Sequence, residues 1–441
     1  MTKKVPFHRR VFLWVFILAF VVLAPTAVFY TAGYRWNAKK GLIERNGTLI
    51  LGTEPVGATV TLNGTRIDDR TPVTLQNVAP GTYRIRLERS GYLPWEKTLD
   101  VRPERVTFVS DVRLWPDAQP SLRLEADVRA VSVSPDGGML AILENKDGVL
   151  RMKYREIGGT GAEQSSAPFT GDVPAGVVRM SWSPASSAVF VSDAEGRKWV
   201  VQSTGTDAPV LLPEGAYRWD GTTLVGILPA TGARGAERFE YSSTDRSVRR
   251  TSLPVGVEDE DGLYRVVSVP GNPRLFVEER RNAARRFELP GGQWTIADRI
   301  GDRLFLTDGD TWLGFDPSVD PPAPVTLMAD EPPATIRQGR ETLLLARAGG
   351  ELWVDVLGRE PELLVRSSDI LKGAGWYREA THAFYATRDR VVAIGLDPRD
   401  GRLQTTLATF DEIASMSVAR ESLFVAGSRG GVKGVWEIGV E

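Results

Sequence analysis

The chain is predicted to be an all-β protein carried on one N-terminal transmembrane helix, with a small β-domain followed by a β-propeller of seven or eight blades, eight favoured. Three observations predict this. Val11 to Tyr34 is an uncharged run rich in Phe, Leu, Val and Ala. Residues 47–114 alternate apolar and polar side chains in period two, the pattern of half-buried strands. Beyond residue 120 a short apolar pattern recurs about every 40 residues, the length of a four-stranded propeller blade.

Composition sets outer limits. At 441 residues the chain exceeds one ordinary core, and 42% apolar with 25% charged residues is a globular balance. The 44 Gly and 28 Pro suit many turns between short strands. A net charge of -2 provides no basic field for phosphate backbones, so nucleic acid is not an expected partner. The absence of Cys removes disulfides, thiolate metal sites, thiol nucleophiles and lipidated cysteine together.

The first element is the membrane span. The uncharged run is long enough, at ~1.5 Å per residue, to cross a ~30 Å hydrocarbon layer. Pro25 interrupts it, which membrane helices tolerate when the freed carbonyl finds a local partner. Tyr30, Tyr34 and Trp36 gather at the distal end, where amphipathic rings favour the headgroup layer. Lys3, Lys4, Arg9 and Arg10 precede the run, nearly balanced by Arg35, Lys39, Lys40 and Arg45 after it. The short basic tail and the large following domain favour a cytoplasmic tail (1–10), a signal anchor (11–34) and export of everything downstream. A cleaved signal peptide is the competing reading, and it fits a small-x-small cleavage pattern poorly because Pro25 and Tyr30 fill the −3 positions before Ala27 and Ala32.

In the second element, 47–114, Ala58 to Leu62 and Tyr83 to Glu88 alternate as strands, and Asn63-Gly64 is a type I′ hairpin turn. Thr71-Pro72, Pro80-Gly81 and Gly91-Tyr92 mark further turns. The succession Pro55-Val56-Gly57-Ala58, Val60 to Gly64, Thr71-Pro72, Ala79 to Tyr83 and Ser90-Gly91-Tyr92 resembles a PEGA domain, with Val56 in place of the Glu of the name motif. The resemblance implies a small β-sandwich of the kind found in bacterial and archaeal surface and envelope proteins, with no enzymatic chemistry. Asn46-Gly47-Thr48 and Asn63-Gly64-Thr65 match the glycosylation sequon and are read as turn chemistry.

A Pro-rich joint, 115–120, leads to the propeller at 121–441. The repeat is apolar-x-apolar, a turn, then three or more apolar residues. The second apolar groups begin at Leu140, Val189, Leu224, Leu275, Leu304, Leu343, Ala383 and Leu423. Val267-Ser268-Val269 is taken as the strand before the fourth of them. The last blade has room for only three strands, and Leu122 to Ala126 is expected to supply its outer strand. Ser134-Pro135-Asp136-Gly137 resembles the start of a TolB-type or WD-like repeat, and Ser183-Pro184 is a degraded second copy.

Little in the chain points to catalysis. Of the two His, His8 lies in the basic tail and His382 falls in a predicted inter-strand turn with no second His or Cys to complete a metal or nucleophile set, and no zincin, P-loop or dinucleotide motif occurs. Ser192 to Trp199 has the spacing of a sialidase-type Asp-box, with Ala194 where its Asp should be, and is read as a hairpin-turn device. Glu258-Asp259-Glu260-Asp261 has the oxygens a hard cation needs, but a run of four acids reads first as a solvated loop. Trp182, Trp219, Trp353 and Trp436 are assigned to packing between blades rather than to glycan stacking. No catalytic, cofactor-binding or metal-ligating residue is assigned, and no cofactor is expected. The expected function is binding or scaffolding in the cell envelope, with an unidentified envelope protein, peptide or glycan as partner and the membrane engaged by the N-terminal helix. The alternative is a glycan hydrolase or lyase on the same scaffold, betrayed by a carboxylate cluster with one acid of raised pKa.

Overall fold

The computed structural model describes residues 7–31, 34–37, 42–159, 163–169, 179–204, 207–229, 235–269, 271–300, 303–308, 311–315, 325–356 and 360–441. They form two compact units, residues 1–118 with 398–401, and 119–397 with 402–441.

The single described helix, Phe7–Thr31, contains Pro25. One residue beyond that proline the Thr26 hydroxyl donates to the Val22 carbonyl at 2.6 Å, a side-chain bond back to the preceding turn of the helix. From Val11 to Phe29 the helix is long and apolar enough to cross a membrane. Its large apolar side chains are bare, Phe16 at 78% exposure and Trp14 at 69%. The helix stops short of Tyr34, where the sequence reading ended the span. Tyr34–Asn37 instead pairs antiparallel with Leu42–Arg45, so backbone groups that no longer bond within a helix are satisfied by a hairpin.

The small domain is a two-sheet sandwich. One sheet has Gly47–Glu54 at its centre, antiparallel to Val73–Val78 and parallel to Val106–Arg113. The other runs Thr65–Arg70, Thr59–Leu62, Gly81–Glu88, Trp95–Val101. Period-two alternation is visible directly: Leu49 and Leu51 are sealed while their neighbours are half-covered, and Ile85 and Leu87 do the same from the facing sheet. Asn63 and Gly64 both have positive φ, 48° and 83°, as the type I′ turn requires. The Thr71 hydroxyl meets that of Thr53 at 2.6 Å and accepts from the Ala58 amide at 2.9 Å, pinning the two turns of this sandwich together. The expected 115–120 joint is in part structural. Trp115 is buried, its carbonyl accepts from Leu93, and the Asp117 amide donates to Gly91, so the chain remains docked on the sandwich through 117.

In the second unit the described residues make eight four-stranded antiparallel sheets, here blades 1 to 8: 128–165, 179–211, 216–252, 257–288, 295–328, 334–366, 373–409, and 412–439 joined by Ser121–Glu125. Each blade is packed on both faces, so its second strand reads as continuous apolar sequence rather than alternation. Leu140 to Leu143 and Leu343 to Ala346 are all at most 3% exposed. Each blade's core is shared with the next. Tyr154 of blade 1 meets Trp182 of blade 2, Phe239 of blade 3 joins Val200 of blade 2, and Leu304 of blade 5 joins Val266 of blade 4. Trp376 and Tyr385 of blade 7 pack on Leu345 and Val354 of blade 6. Phe424 and Val435 of blade 8 pack on Val131 and Ile142 of blade 1, which brings the last sheet back to the first.

Blade 8 is closed by the segment the sequence nominated. Ser121–Glu125 runs antiparallel along Val432–Gly439, pairing Leu122 with Trp436 and Leu124 with Val435. The repeat went astray at one blade. Leu275 lies in the third strand of blade 4, and Val267-Ser268-Val269 in its second; the innermost strand is Val257–Glu260. With the anchor moved to Arg265, opposite Glu260, the intervals from Leu224 and to Leu304 become 41 and 39 residues in place of 51 and 29. A charged innermost strand hid the blade from a search for apolar-x-apolar.

Candidate functional site

The innermost strands of a propeller line its central channel, and each presents a free sheet edge there. Side chains from neighbouring blades bind those edges. The indole nitrogens of Trp182, Trp219 and Trp376 donate backwards to the carbonyls of Ser132, Ser181 and Ala334, at 3.1, 3.3 and 2.9 Å. The hydroxyls of Ser415 and Ser417 in blade 8 accept from the amides of Val131 and Val133 in blade 1, both at 2.9 Å. Trp353 packs between blades 5 and 6, and Trp436 stands edge-on to Phe410 across blades 7 and 8. All four tryptophans singled out in the sequence therefore serve inter-blade packing.

Blade 4 answers the same problem with charge. The four-acid run is not a solvated loop: Val257–Glu260 is a strand, and Asp259 is fully buried. The Arg218 guanidinium of blade 3 donates to both Asp259 oxygens, at 2.9 and 3.3 Å, and to the carbonyls of Ile296 at 2.8 Å and Glu260 at 3.1 Å. The Ile296 amide of blade 5 also donates to Asp259, at 2.7 Å. One ion pair thus ties three successive blades. Burial pushes the Asp259 carboxyl above its usual range, against the pull of Arg218 and the backbone donor. Glu260 takes Arg265 at 3.1 Å, and the Asp261 carboxylate caps the following turn through the amides of Leu263 and Tyr264. Among the described residues no three His, Cys, Asp or Glu side chains gather as metal ligands.

Other residues marked in the sequence take structural positions. The Asp193 carboxylate accepts from the amides of Glu195 and Arg197 and from the Arg197 side chain, closing the hairpin that carries buried Trp199. His382 opens a strand rather than lying in a turn; its Nδ1 is 2.9 Å from the Thr381 hydroxyl and its ring stands edge-on to Tyr377. In the Ser134 turn the Ser134 Oγ accepts from Met139, and Gly137 has φ 76°. The Ser183 turn repeats this with Ser186 at φ 56°, and a copy the sequence reading missed, Tyr377 to Ala380, keeps the bond from its fourth amide to its first carbonyl and a positive φ, 55° at Ala380. Its signal was there only in spacing, since neither Ser-Pro nor Gly remains.

An opening of about 290 Å3 lies where the innermost strands of blades 7 and 8 end and that of blade 6 begins. Ala334, Ala374, Gly375 and Ala419 keep it open, and Trp376 stands among them with its nitrogen already engaged. Arg378 and Arg420 come from equivalent turns of blades 7 and 8, and no acidic side chain lines the opening. Elsewhere, Asp298 of blade 5 is pushed up by burial, with the Arg299 amide and the charges of Arg218 and Arg299 opposing and Asp220 adding to the shift.

These features define a chain with an exposed apolar N-terminal helix, a β-sandwich and a β-propeller. Residues 46–114 match the PEGA domain family, and that segment is a PEGA domain. Solved structures similar to the chain include BamB from Moraxella catarrhalis (11% identity, TM-score 0.39, covering 72% of this chain and 100% of that one). The Swd1 β-propeller domain of Myceliophteria thermophila Cps50 is similar at 12% identity and TM-score 0.36, covering 66% and 100%. A chain of a mitotic checkpoint complex is similar at 9% and 0.42, covering 74% and 93%. No curated protein sequence matches the chain.

Proposed function

We propose that the protein is a single-pass, membrane-tethered binding platform of the cell envelope, with its PEGA domain and propeller outside the cytoplasm. The observation that carries this is the bare apolar helix Val11–Phe29, whose Phe, Leu and Val side chains find no protein cover. A membrane provides the apolar surroundings they lack. The PEGA resemblance to surface and envelope modules supports the orientation. The propeller side supports binding rather than turnover, because Trp182, Trp219, Trp376, Ser415, Arg218 and Asp259 on its innermost strands are spent on joining blades.

The test is protease added to intact cells, with an epitope in the propeller. Loss of the epitope is the expected result, with the N-terminal tail protected; full protection of the propeller overturns the orientation. Mass spectrometry of the membrane-extracted protein reads retention of residues 1–31 directly.

A second reading, hydrolysis or elimination on a glycan, is favoured by one observation. Asp298 has a raised carboxyl with Asp220 close enough to contribute to the rise. Turnover of peptidoglycan or surface polysaccharide that disappears in Asp298→Asn supports it; no turnover in the native protein removes it.

A further inference from the structure

We infer that the opening between blades 6, 7 and 8 seats a carboxylate of an acidic peptide segment on a protein partner, held by Arg420. The inference rests on the binding-platform reading and names the ligand chemistry of one site within it.

Three features of the opening carry the argument. Its charged lining is cationic only. Arg420 is exposed and, among the described residues, has neither hydrogen-bond nor ion-pair partner, so its fork is available to an incoming oxygen pair. Arg378 already holds carboxylates of this chain: Glu441 Oε1 lies 2.6 Å from its Nη1 and Glu379 Oε1 3.6 Å from its Nε, with all three side chains partly exposed. Those contacts display, within the chain itself, the chemistry the opening presents.

The shape fits the same ligand. Gly375 has no substituent to give up, since a Cβ there would fall 2.5 Å from Val418 Cγ2, and this lets the innermost strands of blades 7 and 8 approach closely. The floor of Ala334, Ala374, Gly375 and Ala419 is small and mainly apolar, with Thr335 and Ser417 adding hydroxyls. Such a lining accepts a short apolar stem bearing one charged head. A Glu side chain has that form, and its head would meet the guanidinium of Arg420 while its methylenes cover alanine.

The experiment uses the full chain in detergent micelles and a fluorescein-labelled twelve-residue peptide alternating Glu with Ala, against the same peptide with Gln. Fluorescence anisotropy should show the Glu peptide binding at least tenfold more tightly. Arg420→Gln should weaken it about tenfold and Arg420→Lys by less, because lysine keeps the charge but loses the fork. Arg340→Gln removes an exposed charge from a neighbouring turn outside the opening and should change nothing. Equal binding of the two peptides, or equal losses in Arg420→Gln and Arg340→Gln, overturns the inference. Tighter, Arg420-dependent binding of an oligogalacturonate overturns the peptide and assigns the site to acidic glycans. None of these results alters the protease test of tethering.

Discussion

Arg218 of blade 3 and Asp259 of blade 4 close on one another through two nitrogens and two oxygens, and the same carboxylate reaches the Ile296 amide of blade 5. A channel edge that tryptophan or serine secures elsewhere is here secured by a buried ion pair.

Removing one member should be costly. An unpaired buried charge destabilises by about 3–5 kcal/mol, whereas replacing both members with apolar residues is often neutral. Asp259→Ala should therefore lower the melting temperature of the propeller more than the Arg218→Met, Asp259→Leu double variant does. Calorimetry of the purified chain reads both. A double variant that melts below Asp259→Ala would show that the pair stabilises beyond mutual neutralisation.

Closure of the ring depends on a glycine. A Cβ on Gly434 would sit 2.1 Å from the Leu124 carbonyl oxygen, so Gly434→Val must push the outer strand off the blade. Deletion of 121–125 should lower the melting temperature by a similar amount, and combining the two should add little because both break the same pairing. Full additivity would separate the strand from the glycine and count against closure through this sheet.

Much of this architecture was legible in the sequence. The outer strand, the sandwich turns and the tryptophans follow from period, turn chemistry and size. Blade 4 was hidden because Val257–Glu260 is charged, and a buried Asp looks like a surface Asp until Arg218 is placed beside it. The opening of blades 6 to 8 was invisible for another reason. Arg378 and Arg420 are brought together by equivalent positions in successive blades, and neither stands in a recognisable motif.

The three matching turns predict a stabilising exchange. A non-glycine residue in the left-handed region costs about 1–2 kcal/mol, against roughly 0.5–1 kcal/mol for the greater freedom glycine loses on folding. Ser186→Gly and Ala380→Gly should each raise stability by up to ~1 kcal/mol, while Gly137→Ala lowers it by a similar amount. Denaturant midpoints of the three variants check the assignment; a fall in Ala380→Gly would mean the Tyr377 turn is not equivalent.

Asp355 gives the pH dependence. It is 1% exposed, its Oδ1 accepts no hydrogen bond among the described residues, and burial raises its carboxyl against the Arg303 charge 3.4 Å away. The folded value lies above the unfolded one of ~3.9, so between the two the native state holds the extra proton and stability falls as pH rises through the folded value. Asp245, held down to about 2 by the Ser242 and Ser247 hydroxyls, titrates below that window. Thermal melts from pH 4 upward should decline more steeply for the native chain than for Asp355→Asn. Parallel curves would place the proton elsewhere.

The pairing of Leu122 with Trp436 makes the second unit, in topological terms, a circle with a single nick. Its two ends leave from the same rim, so tension pulling residue 119 away from the C-terminal strand loads the Ser121–Glu125 strand from its Ser121 end and opens its bonds to Val432–Gly439 one after another. A seam that unzips yields at lower force than strands sheared past each other all at once. A pull of that direction would release this outer strand before it disturbed the other seven sheets, and sealing the circle with a short linker, with new ends cut in an exposed turn, would take that seam out of the load path.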